Sequence, residues 1–291
     1  MKRRAFIKYF AATAATFGVS PASRLNAEEL FPRIELRAWQ ESPELLADLA
    51  EYAVVDNLYK SSDFDRAYAD DIYLPLEQKA ILQQLVARLT RLQRLIGYAN
   101  FNLIGIDEAI KYAGNFSQVG EITKIELEFI EAIFSTNAVE YGFYGSKLLT
   151  RLSDQVNLKD TVKISGTGHY IYKGDAQRAY KKIRKDLGQN ITLTSGIRGI
   201  IKQMHLFLNK AVETQGNLSQ ASRSLAPPGH SYHAIGDFDV GKSGLGADNF
   251  TARFAETDEY KRLCDLGYVK IRYTVGNPFG VRFEPWHIKV V

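Results

Sequence analysis

Pro228-Gly229-His230-Ser231-Tyr232-His233-Ala234-Ile235-Gly236-Asp237-Phe238-Asp239 is the stretch from which the rest of this 291-residue chain can be read, together with Glu284-Pro285-Trp286-His287 near its end. A histidine and a nearby carboxylate, followed about fifty residues on by a glutamate and another histidine, are an inventory from which a catalytic zinc site can be built. Such a site takes three protein ligands, leaves the fourth position to water and keeps close by a base that is not a ligand. His233, Asp239 and His287 can supply the ligands and Glu284 the base. His230 is a rival ligand, although its place directly after Pro-Gly reads as a turn. Side chains alternate along a strand, so Glu284 and His287 share a site only if the chain bends near Pro285 or the metal sits at the strand's end.

Working outward, the second half mixes strands and helices. Asp175 to Leu187 reads as a helix stopped by Gly188, and Asn190-Ile191-Thr192-Leu193-Thr194 as a short strand. Ser195-Gly196-Ile197-Arg198 then turns into a second helix carrying Ile200, Ile201, Met204, Leu208 and Val212. Thr257 can cap a helix that ends before Gly267, with Cys264 as a small core residue within it. Val269–Tyr273 and Val281–Val290 read as a hairpin joined around Asn277-Pro278-Phe279-Gly280. His169 and His205 read as structural, and Tyr170 and Tyr172 as one face of a strand.

The first half is helical. Ser42-Pro43-Glu44 can start a helix carrying Leu45, Leu46, Leu49, Val54 and Leu58. Leu76 to Tyr98 places Ile81, Leu85, Leu89, Leu92 and Ile96 on one face, and Thr123-Lys124-Ile125-Glu126 has the form of a capping box. Asp63, Asp65, Asp70 and Asp71 lack the glycine of a calcium loop and read as a solvated loop. The composition turns polar after Leu149. The chain is therefore expected to be α+β, with a helical domain over 28–155 and a small antiparallel-sheet domain over 156–291.

Residues 1–27 read as a targeting segment: Lys2-Arg3-Arg4-Ala5-Phe6-Ile7-Lys8, a modestly apolar run from Tyr9 to Val19, then Leu25-Asn26-Ala27. The paired arginines resemble a bacterial twin-arginine export signal, which implies the periplasm or cell envelope and cleavage after Ala27. The segment holds five basic residues and no acid, so the formal charge of +4 becomes 4 − 5 = −1 for the remainder. That leaves no basic stripe for a nucleic-acid partner. The apolar run is shorter than the about 20 residues that span a bilayer. A single cysteine cannot form an internal disulfide.

Three segments, in order, carry a family resemblance: Ser195-Gly196-Ile197-Arg198; Ser231-Tyr232-His233-Ala234-Ile235-Gly236 with Asp239; and Glu284-Pro285-Trp286-His287. They resemble the signature segments of the VanY-type zinc D-alanyl-D-alanine carboxypeptidases, whose fold is that of the hedgehog/D-Ala-D-Ala-peptidase type. The resemblance covers roughly residues 160 to 291. It implies zinc held by His233, Asp239 and His287, with Glu284 as catalytic base. It further implies that Arg198 stabilises the carbonyl oxygen, that Ser231 holds the substrate terminus and that Trp286 lines the site. The family places its aspartate seven residues after the first histidine, a position held here by Val240. Asp239 is favoured because an apolar residue follows it, and Asp237 remains the alternative.

The function expected on these grounds is an exported zinc metallopeptidase acting on peptidoglycan stem peptides, first of all as a D-alanyl-D-alanine carboxypeptidase. The alternatives are an L,D-carboxypeptidase or a cross-link endopeptidase with the same site, or a non-catalytic wall-binding protein with structural zinc.

Overall fold

The structure, a computed structural model, describes residues 55–291. The targeting segment and the helix start at Ser42-Pro43-Glu44, with Leu45 to Val54, lie outside the described residues. Residues 55–62 are helical and end in a turn. α1 (Leu76–Ile96) follows Pro75 and stops at Gly97, whose φ of 86° is costly for any residue with a Cβ. Its buried face is Leu82, Leu85, Val86, Leu89 and Leu92, with Ile81 and Ile96 packed at the margin. α2 (Ile106–Asn115) precedes α3 (Lys124–Ser135), which has the expected capping box. Thr123 Oγ1 accepts from the Glu126 amide at 3.3 Å, and the Glu126 carboxylate accepts from the Thr123 amide at 2.8 Å. That carboxylate also takes Arg88 Nε at 3.0 Å, which ties α3 to α1.

Beyond a polar segment, β1 (Thr161–Ile164) and β2 (His169–Tyr172) form an antiparallel hairpin. α4 (Asp175–Leu187) ends at Gly188 and leads to β3 (Ile191–Ser195). α5 (Ile200–Glu213) and α6 (Leu218–Ser224) precede β4 (Phe238–Lys242). α7 (Asp258–Asp265), capped by Thr257 Oγ1, and the two-residue β5 (His287–Ile288) complete the chain. The principal sheet is antiparallel, in the order β3-β4-β5, and the fold is α+β.

Two hydrophobic clusters hold these elements. The first joins α1, α2 and α3 to α5 and α6, so two helices that follow the polar segment pack back onto the helical layer. The second lies between the sheet and α4 and α7, around Leu193, Phe238, Val240, Phe254 and Ile288. A backbone bond from Gly199 N to Asn102 O, 2.8 Å, joins the two layers beside the end of β3.

Three expectations are corrected. The segments 269–273 and 281–290 lie side by side, with Arg272 N to His287 O at 3.1 Å and Lys289 N to Lys270 O at 2.8 Å, but they share only one bridge, Ile271 to Ile288 of β5. Pro285 has no N–H to give a ladder and the chain turns there, so a regular hairpin is interrupted. Cys264 is exposed, because Leu263 takes the inward position of α7 and the next residue is rotated by about 100°. Asp71 is not solvated: Arg223 Nη1 and Nη2 donate to its two oxygens at 2.7 and 2.9 Å, in a pair whose side chains are 5% and 1% exposed. Among the described residues no helix is long and apolar enough to cross a membrane.

Candidate metal centre

Strand register assembles the centre. Ser195 pairs with Asp239, and Asp239 with His287, so one row across β3, β4 and β5 brings a hydroxyl, a carboxylate and an imidazole together. The pairing of β3 shifts between Leu193 and Ser195, a bulge of the kind that re-aims side chains next to sites. Alternation then places Asp237 and Asp239 on one face, while Phe238 and Val240 point into the second hydrophobic cluster.

His233 comes from a single helical turn, Tyr232–Ala234, and is fully buried. Tyr172 Oη donates to the Ala234 carbonyl at 2.8 Å, which docks that turn on β2. His233 Nδ1 lies 2.7 Å from the Gly196 carbonyl, so Nδ1 carries the proton and Nε2 is bare. Glycine is required at 196 because a Cβ would stand 2.0 Å from the Tyr170 carbonyl, which also accepts from Ile197 N at 2.7 Å.

The bare His233 Nε2 faces Asp239 Oδ1 at 3.2 Å, and neither atom has a hydrogen-bond partner. His287 Nδ1 lies 3.5 Å from the same oxygen and 3.3 Å from Glu284 Oε2. The nitrogens of His233 and His287 and the oxygen of Asp239 lie within 4.8 Å of one another, all buried. Two buried acceptors without partners, His233 Nε2 and Asp239 Oδ1, beside His287 Nδ1 suit a cation in a borderline-soft N/O set, and zinc fits that chemistry. Glu284 and His287 share this site because the chain turns through Pro285–Trp286, with His287 N bonded to the Glu284 carbonyl at 3.2 Å.

Asp237 is used otherwise. His287 Nε2 lies 3.0 Å from its Oδ2, Arg272 donates to both of its oxygens, and the Val290 amide donates at 2.8 Å. A carboxylate on the far nitrogen fixes the tautomer and orientation of an imidazole ligand. Burial alone would lower the pKa of His287; hydrogen bonds with Asp237 and Glu284 and the charge of Asp239 reverse this and hold it up at about 9. Burial would likewise raise Asp239, but the imidazoles and the Arg198 guanidinium hold it far below the usual carboxylate range. His233 is pushed down by burial and by Arg198.

Arg198 Nη2 donates to Asp239 Oδ2 at 2.6 Å and Arg198 Nε to Ser195 Oγ at 2.9 Å. Arg198, Glu284 and Trp286 all face a cavity of about 470 Å³ beside the centre, with Trp286 edge-on to Phe250 at 5.9 Å. Ser231 does not reach this cavity: it is buried and serves through its carbonyl, which accepts from Ala234 N. His230 is also turned away, its Nδ1 on the Gly145 carbonyl at 3.0 Å and its ring against Phe143. His205 is structural, with Nε2 on Thr90 Oγ1 at 2.9 Å. His169, by contrast, lines the cavity. Lys202, Arg282 and the support from Arg272 were missed as well; the only signal for Lys202 was its place four residues after Arg198.

Residues 172–291 match the family model VanY, D-alanyl-D-alanine carboxypeptidase. No curated protein matches the chain. Among solved structures, that of the LdcB LD-carboxypeptidase, described with its peptidoglycan recognition, is 24% identical, covers 47% of this chain and 70% of that chain, and has a TM-score of 0.40. The vancomycin resistance D,D-pentapeptidase VanY in complex with Zn(II) is 22% identical over 45% of this chain and 77% of that one, with a TM-score of 0.34. VanYB in complex with D-alanine-D-alanine gives 22%, 45%, 76% and 0.34.

Proposed function

We propose that this chain, a VanY-family protein over residues 172–291, is an exported zinc peptidase that cleaves peptidoglycan stem peptides and removes the terminal residue from D-alanyl-D-alanine. The observation that carries this reading is the pair of unpartnered acceptors, His233 Nε2 and Asp239 Oδ1, converging with His287 Nδ1 in a buried pocket. Their cost without a partner is high, and a divalent cation removes it.

His233, Asp239 and His287 would hold the zinc, which when bound would supply Lewis acidity to a scissile carbonyl and to water. Glu284 faces the cavity at 3.3 Å from His287 Nδ1, so its carboxylate can take the proton of the attacking water. As the new C–O bond forms and the C–N bond breaks, Glu284 returns that proton to the leaving amine. Arg198, held by Ser195 and Asp239, faces the same cavity and offsets the negative charge that develops on the carbonyl oxygen. Asp237, backed by Arg272, keeps His287 turned with Nδ1 inward. A structural zinc site needs no base, so Glu284 in the cavity favours catalysis over a wall-binding role.

Export rests on the twin-arginine-like segment Lys2 to Lys8, and places the enzyme in the periplasm or cell envelope. The test of the activity is mass spectrometry of muropeptides incubated with the protein, with and without a chelator. Release of D-alanine from pentapeptide stems, abolished by the chelator and restored by zinc, is the expected result. Release of D-alanine from tetrapeptide rather than pentapeptide stems assigns the L,D-carboxypeptidase reaction instead, and cleavage of cross-links the endopeptidase reaction. Unchanged release in the presence of the chelator contradicts zinc catalysis.

A further inference from the structure

The cavity beside the centre holds more positive charge than the protein's own carboxylates account for. Arg198, Lys202 and Arg282 line it against Glu284 alone. Arg198 is paired with Asp239, and Glu284 is turned toward His287. Among the described residues, Lys202 and Arg282 form no ion pair, and an unpaired cation in a half-buried wall calls for an anion.

The two cations are held differently. Arg282 lies over the rings of Trp286 and Phe64, at 5.0 and 4.6 Å, and donates through Nη2 to the Phe250 carbonyl at 3.1 Å, leaving its buried Nε unpartnered. Lys202 stands in the first turn of α5, four residues beyond Arg198, and makes one hydrogen bond, from Nζ to Gln93 Oε1 at 2.9 Å. Two of its three ammonium protons remain for a ligand. Burial and the neighbouring Arg198 lower its pKa to about 8, which keeps most of it charged at neutral pH. Gln93 is 6% exposed and belongs to α1, so the helical layer backs this wall through Lys202, and Tyr98 and Asn102, which follow α1, line it. In a peptide cut at its last bond, the terminal carboxylate follows the scissile carbonyl by one residue, about 3.8 Å. Lys202 lines the same cavity as Arg198, so a carboxylate one residue beyond the scissile carbonyl has a cation in the wall it faces.

We propose that Lys202 binds the terminal carboxylate of the substrate, and that Gln93 of the helical layer holds its ammonium in position, so that the site takes peptide ends. This rests on the peptidase reading above, and gives the helical layer a part in specificity. The experiment compares N-acylated D-alanyl-D-alanine with its C-terminal carboxamide, using the full chain with zinc. The wild type should prefer the free acid. Lys202→Met should lower kcat/KM for the acid by about 10- to 100-fold, mainly through KM, and leave the amide unchanged. Lys202→Arg should keep the preference, and Gln93→Leu should weaken it with kcat little altered. Retention of the full preference in Lys202→Met, or its loss in Arg282→Met instead, overturns the proposal. Calorimetric binding of both peptides to Glu284→Gln, with and without Lys202→Met, needs no turnover. It separates a failed anchor from a failed enzyme: if the acid binds no more weakly once Lys202 is replaced, the anchor is wrong whatever the activity.

Discussion

Asp71 and Asp239 are equally buried, at 1% and 0% side-chain exposure, yet they sit in opposite situations. In the helical layer, Arg223 Nη1 and Nη2 meet the two oxygens of Asp71, and Asn217 and the Tyr68 amide add 2.7 and 2.9 Å bonds. In the sheet, Arg198 meets one oxygen of Asp239, while the other faces two imidazoles and makes no hydrogen bond. A closed ion pair fixes how elements pack, whereas an open one has valence left for something the chain does not contain. The same contrast recurs within β4 and its approach: Asp237, two residues earlier, is saturated by Arg272, His287 and backbone amides.

This contrast can be broken from either side. The largest effect is expected on the open side. Glu284→Gln should lower kcat by about 10²- to 10⁴-fold while zinc content stays unchanged, since the amide cannot accept a proton. Single-turnover rates and metal analysis on one preparation check this, and a rate equal to wild type would remove Glu284 from the role of base.

On the closed side, Asp71→Asn leaves Arg223 buried without its anion and should cost about 3–5 kcal/mol in urea unfolding, with zinc binding retained. Burial would raise the pKa of Asp71, but hydrogen bonds from Arg223 and Asn217 outweigh it and hold it low. A lowered carboxylate pKa stabilises above the unfolded value, about 3.9, and that stability fades as pH falls through the folded value. The gap between wild type and Asp71→Asn should therefore be constant from pH 7 to about 5 and close below about 4. A gap that persists at pH 3 would show that the ion pair is not its origin. The smallest effect belongs to the α3 cap: Thr123→Ala should cost about 1 kcal/mol and leave catalysis alone.

What could be read beforehand was what lies close together along the chain. The Thr123–Glu126 box, the Thr257 cap and the stop at Gly188 rest on interactions within four residues, and each helix forms as its local sequence directs. The approach of His233, Asp239 and His287 was legible through three short segments rather than through any periodicity. Partnerships across long stretches of chain were not legible. The Asp71–Arg223 pair spans 152 residues and turns an apparently solvated loop into a buried anchor. The Lys202–Gln93 bond spans 109 and links two helices whose packing no local pattern announces. Ser231 lies buried just ahead of the single helical turn that carries His233, outside the residues that line the cavity, a placement no local pattern announces.

The most direct test of the open site is the zinc content of the purified protein beside Asp239→Asn and Asp237→Asn. The arrangement predicts one zinc per wild-type chain, none in Asp239→Asn, and zinc retained in Asp237→Asn with affinity lowered by about 10- to 100-fold. A wild type without metal, or a loss in Asp237→Asn with Asp239→Asn still loaded, would contradict it.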